Sequence, residues 1–368
     1  MAGGGCEMKV GIGFGSLCGL VLAGTLACCP VAAVAAGWDR SLDEFPACAD
    51  ETDDTARLQR AIDATPDGVL YVPRGVYRIS RTLKVENRCS LDFHKGAVLR
   101  AVADMEFVVA VNCLNADADD YNVFISGGTI DGAGRASCMF LTGFVHLTVK
   151  DMTFLNGRKD GLRVAGGYEL IANNLYFICK QSGLAGNVAL HVLGGDSHYT
   201  DCISVDYTTG FKIAGGGSNR LTRCHAWGGP LPPVKPGEPR EMLKDSVCFR
   251  IGPDACSTIL RDCYADTGKI GFEIDGWETR LLGCSYLNNY GFKLDDVTVI
   301  KHTRGRLLVS EGAFVKSAPK FTLYEGCGEV EWSNMMYSEF ADAKGLPGAL
   351  TFKKKSADEQ PVRKPAGK

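Results

Sequence analysis

The chain has 368 residues, 45 of them glycine, and a formal net charge of −3. A charge this close to balance excludes nucleic-acid binding that depends on bulk positive charge. The glycine content exceeds the usual share of about 7%, which favours a fold with many tight turns and positive φ angles.

Residues 1–36 are predicted to be a signal peptide. An apolar run over residues 17–36 ends in Ala33-Val34-Ala35, and Lys9 directly follows Met8. A cation, an apolar run and an A-x-A pattern are typical of a cleaved secretory signal. We therefore expect a secreted or periplasmic protein with no membrane span after cleavage. An uncleaved membrane anchor and a lipoprotein signal are the alternative interpretations.

The folded domain is predicted to cover residues 37–345 and to begin with a short helix. Asp53-Asp54-Thr55 offers an N-cap, and residues 56–64 carry apolar side chains on one face. We expect this helix to cap the first coil of a solenoid, because the first strands would otherwise leave unpaired edges and an apolar core open to solvent. Strands are predicted next at 69–72 and 76–79.

Two short motifs carry a family resemblance. The helix signal followed by Gly68-Val69-Leu70-Tyr71-Val72-Pro73 and Gly75-Val76-Tyr77 resembles the N-terminal segment of pectate-lyase-superfamily proteins. The later Gly127-Gly128-Thr129-Ile130-Asp131-Gly132 resembles a turn of polygalacturonase-like β-helices. The resemblance implies an all-β fold, a single-stranded right-handed parallel β-helix that usually binds a glycan along one long face. It is specific for the fold and leaves the reaction open.

Three segments are predicted to lie outside the regular coils. The loop over residues 115–121 contains Asp117, Asp119 and Asp120, and a solvated turn is expected there. Calcium binding is the alternative for this loop, and no other metal or cofactor is predicted. Residues 228–246 interrupt the coils, and their proline-rich core over residues 228–239 excludes a regular strand there, so the segment forms either a binding loop or a tolerated insertion. Residues 346–368 are predicted to be a charged, disordered tail.

A four-residue phrase of small, apolar, polar and apolar residues recurs between residues 161 and 294. This alternation indicates strands with one buried face, so we expect the second and fourth positions to point inward and the first and third outward. Recurrence at intervals of roughly 20 to 40 residues predicts stacked coils of a parallel β-helix. The phrases are Gly161-Leu162-Arg163-Val164, Ala189-Leu190-His191-Val192, Gly210-Phe211-Lys212-Ile213, Cys248-Phe249-Arg250-Ile251, Gly271-Phe272-Glu273-Ile274 and Gly291-Phe292-Lys293-Leu294.

Four cysteines occupy one equivalent place per coil. Equivalent residues of adjacent coils stack about 4.8 Å apart, so the column is expected to consist of packed, free thiols. Disulfides are the alternative, because an exported chain meets oxidising conditions. The column is formed by Cys202, Cys224, Cys263 and Cys284.

The aligned phrases predict a groove along the solenoid axis. Its floor is the small first position of each phrase, between two polar columns. Because the third position contributes mostly cations, the expected ligand is an acidic polysaccharide whose carboxylates pair with guanidinium and ammonium groups. A merely solvated face is the alternative. The predicted binding residues are Lys159, Arg163, Asn187, Thr208, Arg250, Lys269 and Glu273.

Two residues in this groove are candidates for catalysis. A lyase needs a base that removes the proton next to a uronate carboxylate, and cations that stabilise the resulting charge. We expect His191 to be the base, since histidine ordinarily titrates near neutrality, and Lys212 to act beside it. His198 and His225 are expected on other faces. An epimerase would need nearly the same residues, so the reaction type stays open.

The sequence disfavours a family-28-like hydrolase. Lys159-Asp160-Gly161-Leu162 resembles part of that family's Asn-Thr-Asp-Gly motif, but Gly186-Asn187-Val188-Ala189 stands where paired aspartates are expected. The strand phase also points Asp160 inward, which favours a buried role in a turn. The leading hypothesis is an exported polysaccharide lyase. A non-catalytic glycan-binding or cell-surface β-helix protein comes second, and a hydrolase third. The oligomeric state is not predicted.

Overall fold

A computed structural model describes residues 37–113, 123–180, 184, 186–228, 240–241, 245–287, 292–293, 296–315, 320–326, 329–333, 336–338 and 352–354. In this part of the chain the fold is an all-β parallel solenoid of about nine turns with one α-helix. The predicted parallel β-helix is therefore confirmed. The predicted signal peptide, the acidic loop and most of the proline-rich insertion lie outside the described residues.

Each coil has three faces, which we call A, B and C, with strands numbered β1 to β35 along the chain. Face A contains β4 (Leu83–Val85), β7 (Phe107–Asn112), β10 (Ser137–Thr142), β13 (Asp160–Val164), β16 (Val188–Val192), β19 (Thr209–Gly217), β23 (Val247–Arg261), β25 (Ile270–Ile274), β29 (Asp296–His302), β32 (Lys320–Gly326) and β35 (Phe352–Lys354). Face C contains β3 (Gly75–Ile79), β6 (Ala97–Ala101), β9 (Thr129–Asp131), β12 (Thr153–Leu155), β15 (Tyr176–Ile178), β18 (Ile203–Tyr207), β21 (His225–Gly228), β24 (Tyr264–Asp266), β27 (Ser285–Leu287), β31 (Ala313–Val315) and β34 (Met336–Ser338).

Face B is continuous with face A. Its strands are β1 (Arg40–Ser41), β2 (Val69–Val72), β5 (Ser90–Phe93), β8 (Phe124–Ser126), β11 (Thr148–Lys150), β14 (Ile171–Asn173), β17 (His198–Thr200), β20 (Arg220–Thr222), β26 (Trp277–Leu282), β30 (Arg306–Ser310) and β33 (Glu329–Ser333). The long strand β23 pairs with strands of both faces, which joins A and B into one 22-stranded sheet beside the 11-stranded face C.

The C-terminal coils differ from the sequence prediction in two places. Strand β28 (Phe292–Lys293), which contains the last phrase, pairs with β22 (Arg240–Glu241) and not with face A. Face A continues with β29, where Lys301 is the partner of Glu273. Within residues 346–368, β35 pairs with β32.

The interior is a set of apolar ladders. All ten apolar residues at the second and fourth positions of the first five phrases are at most 1% exposed, which confirms their predicted burial. The Phe211, Phe249 and Phe272 rings stack with centroids 5.1 and 5.2 Å apart. Burial of each such ring stabilises the fold by about 1.5–3 kcal/mol, so the inward positions dominate the energetics of the coils.

In several successive coils the corner between faces B and C is a single residue with positive φ. Asp151, Asn174, Asp201 and Arg223 adopt φ angles of 50–56°, and each donates its backbone N–H to a carbonyl of the next coil. This left-handed conformation costs little for Asn and Asp, whose side chains tolerate it. The corner thus keeps the backbone hydrogen-bonded while it reverses the side-chain direction.

The predicted helix forms as α1 (Thr55–Asp63), after a short 3₁₀ turn at Leu42–Glu44. Its Gln59 side chain donates to the Lys84 carbonyl and accepts from the Lys84 N–H, both at 2.9 Å. Just before α1, Asp54 makes the same two kinds of bond with Arg78 of β3, through its backbone N–H and its carboxylate. In the part of the chain that the structure describes, no helix is long and apolar enough to cross a membrane.

The cysteine column is buried and reduced. Cys202, Cys224, Cys263 and Cys284 are each 0% exposed and free. Each thiol lies 3.4 Å from a backbone carbonyl that can accept its proton. The prediction of packed thiols is confirmed for these four residues.

Candidate substrate-binding face

One outward side chain per coil forms a row along face A. Parallel pairing places these residues in direct register, with adjacent strands about 4.8 Å apart. The pairs run from Arg163 with His191, through His191 with Lys212 and Lys212 with Arg250, to Arg250 with Glu273 and Glu273 with Lys301. We call these six residues the cationic row. The sequence pattern predicted five of these six residues and placed Lys293 where the structure has Lys301.

The small first position of the first five phrases faces the interior, so the predicted groove floor is wrong there. A Cβ atom on Gly161 would lie 2.7 Å from the buried Phe177 ring, and one on Gly210 would lie 2.7 Å from the Ala226 Cβ. Residues 161 and 162 therefore both point inward, which breaks the strict alternation. Glycine is present because the face C side chains approach this point of the backbone closely.

The second predicted polar column is divided between surface and core. Lys159 and Lys269 are exposed, as predicted for binding residues. Asn187 and Thr208 are 1% and 8% exposed, which contradicts their predicted place on an open wall. The Asn187 Oδ1 accepts from the backbone N–H and the hydroxyl of Thr208 at 2.9 and 3.1 Å. These two side chains hold a turn between coils.

Asp160 and His191 form a pair within the row. The Asp160 Oδ1 lies 3.0 Å from the His191 Nδ1, and the two side chains are 5% and 14% exposed. The break in alternation at residues 161 and 162 turns Asp160 toward His191, so its predicted inward direction is wrong, whereas its predicted burial is confirmed, with 4% of the residue exposed. A carboxylate at Nδ1 favours the tautomer with its proton there, which leaves Nε2 as a proton acceptor.

Glu273 neutralises part of the row farther along. Its carboxylate accepts from the Arg250 Nε at 2.5 Å and from the Lys301 Nζ at 2.9 Å. Burial raises the pKa of the Glu273 carboxyl, but the bonds and charges of Lys301 and Arg250 outweigh this effect and hold the pKa below its ordinary value. Arg250 is consequently a less available cation than the sequence suggested.

Arg163 and Lys212 flank His191 on the two adjacent coils. The Arg163 Nε is buried and has no hydrogen-bond partner within the described ranges. No ion pair joins Lys212 to another described residue. The two cations of the row that form no ion pair with another described residue, Arg163 and Lys212, therefore flank His191.

A pocket opens beside the row, where the strands of face A turn toward face B. It has a volume of about 320 Å³ and is lined by residues 166–168, 193–196 and 216–218. We call it the glycine pocket, because six of these ten residues are glycine. Tyr168 and Leu193 stand at it with exposed fractions of 59% and 38%.

Two more histidines and a possible metal site were predicted outside the cationic row. His198 lies on face B and His225 on face C, as predicted. Among the residues that the structure describes, no group of three or more His, Cys, Asp or Glu side chains could hold a metal ion. The acidic loop with Asp117, Asp119 and Asp120 lies outside them.

Comparison with known proteins bears on the fold. No protein-family model matches the sequence, and no curated protein matches it significantly. Among solved structures, the surface adhesin PfbA of Streptococcus pneumoniae is similar, with a TM-score of 0.56 and 13% identity over 89% of this chain and 96% of that one. The endo-xylogalacturonan hydrolase of Aspergillus tubingensis has a TM-score of 0.55 and 12% identity over 84% and 98%.

A third similar structure is the tailspike protein of the Escherichia coli bacteriophage HK620, a double mutant in complex with a pentasaccharide. It has a TM-score of 0.56 and 11% identity over 81% of this chain and 66% of that one. At such low identity these likenesses establish the fold alone. The chain has the pectate-lyase-like fold, the right-handed parallel β-helix that its N-terminal motifs predicted.

Proposed function

We propose that the protein binds an acidic polysaccharide along the cationic row and cleaves it as a polysaccharide lyase. The observation that carries this proposal is the Asp160–His191 pair, set between the cations Arg163 and Lys212 on an outward face. A base with a fixed tautomer between two cations is what proton removal next to a carboxylate requires.

The reaction follows from these positions. The His191 Nε2 removes the proton on the carbon that bears the uronate carboxylate, while Asp160 accepts the hydrogen bond from Nδ1–H. The electron pair of the broken C–H bond forms a carbon–carbon double bond, and the glycosidic oxygen on the neighbouring carbon leaves and takes up a proton from water, to which His191 later returns the proton that it removed. Arg163 and Lys212 stabilise the negative charge that builds up on the carboxylate. The products are an unsaturated sugar and a new chain end.

The outer binding residues follow the same logic. Lys159 and Lys269 are exposed and carry cations beside the row, so we assign them to carboxylates of more distant sugar units. Arg250 with Glu273 offers both donors and an acceptor, and suits a mixture of carboxylates and hydroxyls. Asn187 and Thr208 support the backbone at this face and are not part of the proposed contact surface.

Hydrolysis by two carboxylates fits less well. The carboxylates with side-chain contacts to other residues of the row are Asp160 and Glu273, which lie four coils apart. At about 4.8 Å per coil their strands are roughly 19 Å apart, well beyond the roughly 5–9.5 Å that separates the carboxyls of glycosidases. The pentasaccharide of the tailspike and the name of the xylogalacturonan hydrolase support a carbohydrate ligand, and the adhesin supports the second candidate, a non-catalytic binder.

The test is incubation of the full chain with polygalacturonate, alginate and other uronate polymers. A lyase produces ultraviolet absorbance from the new double bond together with new reducing ends. Reducing ends without absorbance would mean hydrolysis, and retention of the polymer without either would mean binding alone. Absence of retention and turnover with every uronate polymer would contradict the proposal.

We also propose that the protein is exported and that α1 caps the solenoid. Support for export comes from the A-x-A pattern before residue 36, and N-terminal sequencing of secreted or periplasmic material should begin near Ala36. Support for the cap comes from Gln59 and Asp54, which satisfy the free edges of the first strands on faces A and C. Unpaired strand edges would otherwise invite pairing with another chain.

A further inference from the structure

The glycine pocket lies on the same three coils as the centre of the cationic row. Its residues follow Arg163, His191 and Lys212 along the chain, two to six positions later. A strand rises about 3.3 Å per residue, so the pocket begins roughly 7 Å from the row. A polymer bound at His191 therefore has the pocket within reach of the next sugar or of a side branch.

The charge of the pocket differs from that of the row. Of the residues that line it in the described structure, Asp196 alone is charged, and it is exposed. A uronate carboxylate placed there would meet a like charge. The hydroxyls of a neutral sugar would instead donate charge-assisted hydrogen bonds to the Asp196 carboxylate.

Two apolar side chains stand at this pocket. Tyr168 and Leu193 keep 59% and 38% of their surface exposed. The C–H face of a pyranose ring is apolar and flat, so an aromatic ring and an aliphatic chain can cover it while its hydroxyls point to the rim. Removal of this apolar surface from water is favourable.

The floor of the pocket is bare backbone. A Cβ atom on Gly195 would lie 2.8 Å from the Gly217 carbonyl oxygen, and one on Gly216 would clash with Gly194, so side chains are excluded there by the stacking of the coils. Next to this floor is the fully buried amide of Asn219, whose Nδ2 donates to the Gly194 carbonyl at 2.9 Å.

We infer that the glycine pocket is a subsite for a neutral pyranose, and that the substrate is a polysaccharide in which uronates and neutral sugars are mixed. This inference rests on the proposed function, because it takes the cationic row as the uronate site. It adds that a polymer of uronates alone leaves the pocket empty.

The test compares polygalacturonate, which contains uronates only, with hyaluronan and heparosan, in which glucuronate alternates with N-acetylglucosamine. Affinities of the full chain are measured at one fixed ionic strength. Tyr168→Ala should weaken binding of a mixed polymer at least about five-fold, as loss of an aromatic anchor typically does, and leave polygalacturonate unaffected. Trp277→Ala is the matched control, because Trp277 is also 59% exposed and lies outside the pocket.

The outcomes separate the two proposals. Lys212→Ala should weaken binding of every polymer, and its failure to do so would contradict the proposed function. If Lys212→Ala weakens binding but Tyr168→Ala does not, or if neither mixed polymer binds while polygalacturonate does, the row stands and the pocket inference is wrong. Equal losses for all three polymers in Tyr168→Ala would also overturn it.

Discussion

Faces A and C are built by the same coils but present different surfaces. The outward positions of face A carry Arg163, His191 and Lys212, whereas the equivalent column of face C carries Tyr176, Ile203 and the stacked rings of His225 and Tyr264, 4.6 Å apart. Inward, both faces contribute fully buried apolar residues. The solenoid is therefore specified by its inward ladders, and the outward columns are free to carry chemistry on one face without cost to the core.

The largest expected effect concerns turnover on face A. His191→Ala should lower turnover of a uronate polymer about 10²- to 10⁴-fold, the usual contribution of a positioned general base, while most of the binding remains. His198→Ala, an exposed histidine on face B of the same coil, should leave turnover unchanged. Equal rates in wild type and His191→Ala would place the base elsewhere.

The division between inward and outward positions predicts a large loss of stability at one residue and almost none at its neighbour. Phe211→Ala should lower the free energy of unfolding by about 3–5 kcal/mol, because it removes a fully buried ring from the Phe ladder. Lys212→Ala should change it by less than about 0.5 kcal/mol. Urea unfolding of both variants measures the difference, and similar losses would mean that the outward row is part of the structural core.

The affinity for a uronate polymer should depend on which face of the solenoid carries a positive charge. Lys212→Ala should weaken binding of a uronate polymer roughly ten-fold or more, since a charge-assisted bond typically contributes about 1.5–3 kcal/mol. Arg220→Ala removes one exposed charge from face B of the same coil and should have little effect. The difference between the two variants should shrink at high salt, because screening weakens the attraction to the row. Indistinguishable variants would mean that only net charge matters.

A buried histidine on the inward side of face A predicts a pH effect. The His302 Nε2 donates to the Arg304 carbonyl at 2.7 Å and Nδ1 accepts from the Tyr324 hydroxyl at 3.0 Å, so the neutral ring is satisfied. Burial lowers the pKa of His302 below that of the unfolded chain, although hydrogen bonds at Arg304 and Gly305 oppose this.

The unfolded state therefore takes up this proton first as the pH falls. The contribution of the neutral His302 ring to the free energy of unfolding should be complete above pH 6.5. Below that pH it should decrease, by at most about 1.4 kcal/mol per pH unit, until the folded-state pKa of His302 is reached. Urea unfolding at pH 7.5, 6.5 and 5.5 measures this slope. His302→Gln should have a shallower slope, and an unchanged slope would assign the effect to another group. Glu273 does not contribute to this slope between pH 7.5 and 5.5. Because its pKa is lowered by folding, its contribution to stability is lost only at more acidic pH.

The smallest effect is expected at the first coil. Gln59→Ala should lower the free energy of unfolding by about 1–2 kcal/mol, because both hydrogen bonds to the exposed edge at Lys84 are lost. Gln59→Glu keeps the acceptor but sets a carboxylate against the Lys84 carbonyl and the Asp63 carboxylate, so it should cost at least as much. A variant as stable as wild type would mean that water satisfies this edge equally well.

The sequence predicted the ladders because alternation is a direct consequence of strand geometry. It failed where the backbone departs from that geometry. The inward turn of Gly161 depends on how closely Phe177 approaches from face C, and that distance is not encoded in the spacing of residues along one strand. The same departure returned Asp160 to the row.

Three other failures have a similar origin. Gly291-Phe292-Lys293-Leu294 fits the phrase better than the residues around Lys301, yet Lys301 continues the row, because pairing between coils and not local pattern decides the register. The burial of Asn187 depends on Thr208 of the next coil. The glycine pocket was missed because it forms only when glycines of three coils stack. Its sequence signal is the recurrence of glycine pairs at 166–167, 194–195 and 216–217.

The central claim is that a uronate polymer lies along face A, and lysine footprinting tests it most directly. The full chain is acetylated with and without saturating uronate polymer, and modification is read at each lysine by mass spectrometry. The polymer should protect Lys212 and Lys301 of the row and leave Lys150, exposed on face B, unprotected. Protection of Lys150 with Lys212 still reactive would contradict the account.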